Sequence, residues 1–246
     1  MQENIKTTIK TTIQRNIVLD LMRTLAIVLM VIFHFIYDLK YFGWVSWDIP
    51  DGAGWREFRY VILTLFFLCI GASLVYSHQQ KFQLKAYTNR LIKVAIGAAI
   101  TTLMSLVMFT NNWIYFGVLQ FILISSLLAA IFIYHPKIAL LTGLVILMLA
   151  QFDIVTSRWP FNYISEFLPD YTTDYVPFFP WFAVILFGIP LAHSAWFNRE
   201  WQLVKKIEQW PWSQKLALPG KHSLIIYLVH QPLLFALLAP IHWLMN

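Results

Sequence analysis

The chain has 246 residues, 59% apolar and 12% charged, with a formal net charge of +6. Soluble domains average about 45–50% apolar and about 25% charged residues, so the composition excludes a soluble globular domain and indicates an integral membrane protein. The positive balance does not imply nucleic acid, because most Lys and Arg lie in short segments between apolar runs, and a single cysteine, Cys69, excludes an intrachain disulfide framework or a Cys-based metal cluster.

In chain order, residues 1–16 (MQENIKTTIKTTIQRN) are polar and mildly basic and lack a small-residue cleavage site before the following apolar run, so they read as a retained cytoplasmic tail. Residues 17–246 read as one membrane domain, an all-α polytopic bundle of about seven spans, each near the ~20 residues that a bilayer core requires. The spans are expected over 17–42, 58–77, 91–109, 113–134, 138–155, 176–196 and 222–244. Pro177, Pro180 and Pro190 predict kinks or a break in the sixth. Between the sixth and seventh, NREWQLVKKIEQWPWSQKLALPGK reads as an amphipathic interfacial helix followed by a Pro-containing turn.

Counting alternate sides, one side collects Lys81, Lys85, Arg90, Lys93, Lys137, Arg199, Lys205, Lys206, Lys215 and Lys221 together with the basic residues of the tail. The other collects only Lys40, Arg56, Arg59 and Arg158, beside six carboxylates. Positive charge stays in the cytoplasm, so the N-terminus is expected inside and the C-terminus outside, in the cytoplasmic (inner) membrane. The two long connections on the outer side are rich in Trp and carboxylates, which suits a headgroup-level belt and also a sugar-binding mouth.

The first span keeps Asp20, Arg23, His34 and Asp38, and ionisable groups are costly enough in a bilayer that a span retaining four of them is expected to use them. Arg23 and His34 are eleven positions apart, so they share a face about 16 Å apart along the axis. Asp38 follows His34 at i,i+4, a spacing that would let a carboxylate orient the imidazole of a general base. Arg23 suits either a salt bridge to Asp20 or an anchor for a phosphate-bearing ligand, and Arg90 and Lys93 face the same layer. In the last span Ser223, Tyr227 and His230 line one face, with Gln231 and Pro232 next, and His230 lies at a depth comparable to His34. Gly71, Ala72 and Ser73 form a small-residue patch for close approach of a helix or ligand, close helix packing being the favoured reading. The motifs HExxH, CxxC, a phosphate loop, a Rossmann fingerprint and GxSxG are all absent from the sequence, and no metal is expected.

The motif R-x4-D-x2-R at Arg15, Asp20 and Arg23, then MVIFHFIYDLKYFG, FFLCIGASL, RLIK at 90–93 and SLIIYLVHQPLL resemble the heparan-alpha-glucosaminide N-acetyltransferase catalytic-domain family, within a wider superfamily of membrane acyltransferases. The resemblance implies an acetyltransferase carrying acetyl from cytoplasmic acetyl-CoA to an amino or hydroxyl group of a sugar or glycan across the membrane. It implies His34 as the catalytic histidine with Asp38 and His230, and Arg23 as a coenzyme A or structural arginine. Asp20 is implied as support. With such a donor, Arg90, Lys93, Tyr227 and Ser223 are expected to contribute to its binding and Gln231 and Gly71 to support the site. In the longer lysosomal member the proposed catalytic histidine lies in the loop after the first helix, near the place held here by Trp44, which leaves His34 as the candidate. The partners expected are membrane lipids, acetyl-CoA and the glycan, without nucleic acid; a homodimer is compatible. Two rival readings of the same residues stay open here: a proton-coupled transporter or flippase with an Asp38, His34, His230 relay, and a haem protein with His34 and His230 as axial ligands.

Overall fold

The computed structural model describes residues 16–79, 81–156, 158–172, 174–195 and 202–245. Of the predicted tail only Asn16 is therefore among the described residues, and Arg15 of the first-helix motif lies outside them. The described residues form helices joined by turns and loops. These are α1 (Ile17–Tyr41), α2 (Trp55–Ser77), α3 (Leu84–Met108), α4 (Val118–Ala129), α5 (Pro136–Gln151), α6 (Phe178–His193), the short α7 (Gln202–Gln209), α8 (Ser213–Leu216) and α9 (Leu218–Lys221), and α10 (Ser223–Met245). Four of them, α1, α2, α3 and α10, are long and apolar enough to cross a membrane; α4 with its 3-10 extension, α5 and α6 are shorter apolar helices.

Local chemistry sets the helix starts. Asn16 caps α1 by accepting from the amides of Val18 (2.9 Å) and Leu19 (3.2 Å), which satisfies donors that a first turn leaves orphaned. At α2 the amide of Gly54 donates to Glu57 Oε2 at 2.7 Å, from a glycine whose φ of +85° disfavours other residues. Pro136 opens α5, where its missing N–H has no cost. The expected break in the proline-rich segment falls at Phe179 (φ −102°, ψ 136°), because Pro180 pushes the residue before it out of helical geometry. Pro190 stays inside α6.

Long-range contacts give each helix a direction. Arg23 of α1 meets Ser73 of α2, while Phe33 meets Trp55 and Phe58, so these two helices are antiparallel. Tyr87 of α3 reaches Ser126 near the end of α4, and Thr102 reaches Ile114 just before its start, so this pair is antiparallel too. His193 at the end of α6 meets the carbonyl of Ile133, which precedes α5. In contrast, α10 runs parallel to α1: Thr24 meets Gly220 just ahead of α10, His34 meets His230, Asp38 meets Gln231 and Tyr41 meets Phe235.

Two small residues let α2 and α6 touch backbone to backbone. A Cβ on Gly71 would lie 2.0 Å from the carbonyl oxygen of Ile185, and one on Gly188 would lie 2.3 Å from that of Leu68. Gly71 therefore serves helix packing, where small residues let membrane helices approach closely. The shared core includes Phe67, Phe121, Ile185, Leu186 and Ile189, all fully buried. Outward, α3 exposes Ile92, Ile96, Leu103 and Val107, and α10 exposes Ile225, Val229, Leu233 and Leu237. Apolar faces of that extent suit hydrocarbon rather than water. The segment α7 to α9 collects at the Arg23 end of α1, with Trp210 and Trp212 exposed.

Candidate active site

The parallel pair α1 and α10 carries most of the predicted site residues, in two groups about 16 Å apart along α1. At one end the guanidinium of Arg23 donates to Asp20 Oδ1 at 2.8 Å and to the hydroxyl of Ser73, which in turn donates to the carbonyl of Cys69. Asp20 is almost fully buried. The amide of Gly220 donates to Thr24 Oγ1 at 2.9 Å, and a Cβ at Gly220 would fall 1.9 Å from the carbonyl oxygen of Asp20, so the segment before α10 is pressed against this turn of α1.

Arg90 of α3 comes close enough to Arg23 for the two charges to interact, and among the described residues it forms no salt bridge. Two guanidiniums thus lie within electrostatic reach of each other. Lys93 does not join them. Three positions after Arg90 on the same helix, it is exposed. Ser223 is half-buried in the first turn of α10, one turn before Tyr227 on the same face.

At the other group the rings of His34 and His230 meet edge to face with centroids 4.7 Å apart. His34 Nδ1 lies 2.9 Å from the carbonyl of Met30, and His230 Nδ1 lies 2.7 Å from that of Tyr227. A carbonyl only accepts, so each Nδ1 carries the proton and each Nε2 presents a lone pair. His34 is half-buried and His230 buried.

The predicted support of His34 by Asp38 is not formed. Instead Asp38, fully buried, accepts at Oδ1 from Gln231 Nε2 at 2.7 Å. The physical reason is local: within a helix the i−4 carbonyl has a spare lone pair beside the ring, so Met30 fixes the tautomer without a carboxylate. The axial-ligand reading does not fit either, because imidazoles in edge contact leave no room for a macrocycle between them.

Sequence reasoning missed Asp174. The loop before α6 brings this carboxylate to the start of α4, where Oδ2 accepts from the amide of Val118 at 3.1 Å, and within electrostatic reach of the Tyr227 hydroxyl. Burial pushes the Asp174 carboxyl above the ordinary carboxylate range, partly offset by the hydrogen bond from Val118, the charge of Arg59 and the Tyr227 hydroxyl. Its only signal in the sequence is an acidic residue in an aromatic, Pro-rich loop. Ser73 was visible only as part of a small-residue patch.

Beyond Asp38, a cleft of about 360 Å³ opens at the end of α1, lined by Tyr37, Lys40, Tyr41, Asp48, Asp51 and Tyr171 among others. Lys40 Nζ is held by the carbonyl of Ile49 at 2.6 Å, and Arg59 pairs with Asp51 at 3.7 Å. The cleft combines aromatic faces with carboxylates and an ammonium, the donors and acceptors a polyhydroxyl ligand needs.

Residues 15–232 match the family model for the catalytic region of heparan-alpha-glucosaminide N-acetyltransferase. No curated protein matches the chain, and no solved structure does. The matched stretch contains the whole of α1 to α9 and the first part of α10 through Pro232, and so contains both groups of site residues.

Proposed function

The chain belongs to the heparan-alpha-glucosaminide N-acetyltransferase catalytic family, and from that premise we propose that it is a membrane acetyltransferase that moves acetyl from cytoplasmic acetyl-CoA to an amino or hydroxyl group of a sugar or glycan on the far side. The observation that carries this reading is the pair of imidazoles where α1 and α10 meet, each with Nδ1 on a backbone carbonyl and Nε2 without a hydrogen bond among the described residues, about three helix turns from two neighbouring arginines.

In this reading the phosphates of the donor rest on Arg90 and on the N–H groups of Arg23 that Asp20 and Ser73 leave over; a guanidinium has five. The pantetheine arm then spans the roughly 16 Å to His34. The acceptor enters through the tyrosine-lined cleft. Its nucleophilic nitrogen or oxygen attacks the thioester carbonyl carbon while His34 Nε2 takes the departing proton. Collapse of the tetrahedral intermediate breaks the C–S bond, and the imidazolium returns that proton to the thiolate sulfur. The Met30 carbonyl holds the proton on Nδ1 throughout, so Nε2 faces the reaction as a base.

The parallel course of α1 and α10 supports a chain whose first and last apolar helices cross in the same direction, with seven crossings in all. The basic residues on the Arg23 side support placing that end in the cytoplasm of a bacterial-type inner membrane. The test is a titration of the purified protein in lipid nanodiscs with acetyl-CoA, followed by transfer of labelled acetyl to amino sugars and glycans. Saturable binding and acetylated product are expected. Substrate uptake driven by a pH gradient without coenzyme A binding would replace this reading with a transporter.

A further inference from the structure

Between α1 and α10 three buried atoms that can accept a hydrogen bond, Asp38 Oδ2, Gln231 Oε1 and His230 Nε2, find no donor among the described residues. Two of them belong to one hydrogen-bonded pair, since Gln231 Nε2 already donates to Asp38 Oδ1. Buried acceptors are rarely left unsatisfied, and two on opposite sides of a single contact need a common explanation.

No cation supplies it. Asp38 forms no salt bridge among the described residues, and Lys40, the nearest base on its own helix, is committed to the carbonyl of Ile49. The other polar groups around the pair are His34, Tyr37 and Tyr41 on α1, His230 on α10, and Asp51 and Tyr171 at the cleft. The two histidines use their N–H groups on backbone carbonyls. A buried carboxylate with one neutral donor is a poor arrangement, because desolvating the charge costs more than one hydrogen bond returns.

We propose that Asp38 is held as a neutral carboxylic acid whose Oδ2–H donates to Gln231 Oε1 while Oδ1 accepts from Gln231 Nε2, a two-bond latch that joins α1 to α10 beside the histidine pair. One proton satisfies both orphan oxygens. The latch lies one turn beyond His34 and next to His230 in the chain, so it sets the distance between the two imidazoles. Asp38 is thereby a positioning residue, in place of a carboxylate that orients His34; only this consequence for catalysis rests on the acetyl-transfer reading.

The experiment is infrared spectroscopy of the full-length protein in nanodiscs at neutral pH, taken as the difference between wild type and D38N. The carbonyl stretch of a protonated carboxylic acid is expected in the wild type and absent from D38N, with a shift in D2O and a second shift in Q231L, where the acid loses its partner. An ionised carboxylate band in its place would overturn the latch. The variants give a second reading. D38N keeps a donor at the same place, its Nδ2–H replacing the acid proton, so its thermal midpoint should match wild type and its acetyl transfer should exceed that of D38A. D38A should lose both, and D38N as impaired as a well-folded D38A would overturn the proposal. Should D38A not fold, the infrared band and the D38N midpoint still decide. The band does not depend on acetyl transfer, so failure of the latch and failure of the functional reading are separable.

Discussion

The two ends of α1 handle polar groups in opposite ways. At the Arg23 end the charge is matched by Asp20, tied to α2 through Ser73 and covered by the turn at Gly220. At the His34 end the hydrogen bonds run mostly along each helix, to Met30 and to Tyr227; across the gap Asp38 pairs with Gln231, and His230 Nε2 has no donor among the described residues. Fully paired buried groups hold helices together, whereas an imidazole lone pair left without a donor is available to a reacting group. The contrast assigns architecture to the first end, where Arg90 forms no salt bridge among the described residues and stays available to the donor beside the spare N–H groups of Arg23, and chemistry to the second.

The largest effect that would break this contrast is at His34. Replacing it with Ala removes a base whose contribution is typically about 10²- to 10⁴-fold in rate. Because His34 is half-buried and makes its polar contact within its own helix, the variant should fold and bind acetyl-CoA with little change. Normal turnover by a well-folded H34A protein would end the assignment of chemistry to that end.

Arg23 comes next, and its loss should show first as instability. R23M takes the guanidinium away from buried Asp20 and from Ser73, and breaking a buried pair from one side costs about 3–5 kcal/mol. With the Arg23 side chain 18% exposed, the lower end of that range is expected, read as a drop in thermal midpoint. A variant as stable as wild type but unable to bind acetyl-CoA would leave Arg23 only its contact with the donor and remove its architectural role. R90Q should do the reverse: stability close to wild type, with the KM for acetyl-CoA raised about tenfold, the scale of one charge-assisted hydrogen bond. An unchanged KM would remove Arg90 from the donor site.

Much of this contrast is legible in the sequence, and the part that is not has a common cause. Hydrophobic runs expose helices because burial in lipid demands them, and a period of 3.6 puts Arg23 with His34, and Tyr227 with His230, on shared faces. Periodicity says which face a residue occupies and nothing about which helix meets that face. Hence Gly71 stood out as a close-approach residue while its counterpart Gly188 did not, and Asp38 was matched to the histidine on its own helix instead of to Gln231 on α10. Spacing also ignores the backbone as a partner, which is why Met30 was overlooked as the group that fixes the His34 tautomer. Asp174 is the extreme case: it lies in a loop, where no period applies at all.

Asp174 also yields the smallest prediction, and it tests whether the His34 end is braced from outside α1. Its carboxyl accepts from the Val118 amide and interacts with the Tyr227 hydroxyl, and Tyr227 in turn holds His230 through its carbonyl. Burial raises the carboxyl above its ordinary range, so folding favours the neutral acid. The sign follows: this contribution is fully present below the unfolded value of about 4 and is lost as the pH rises through the higher folded value. Protection of the amides at the start of α4 against hydrogen exchange, corrected for intrinsic rates, should therefore weaken as the pH climbs above the ordinary carboxylate range. D174N keeps an acceptor for the Val118 amide and cannot ionise, so its protection should stay level across that interval. Identical pH dependence in the two proteins would mean that Asp174 titrates alike in the folded and unfolded chain, leaving Tyr227, and the imidazole it holds, braced by α10 alone.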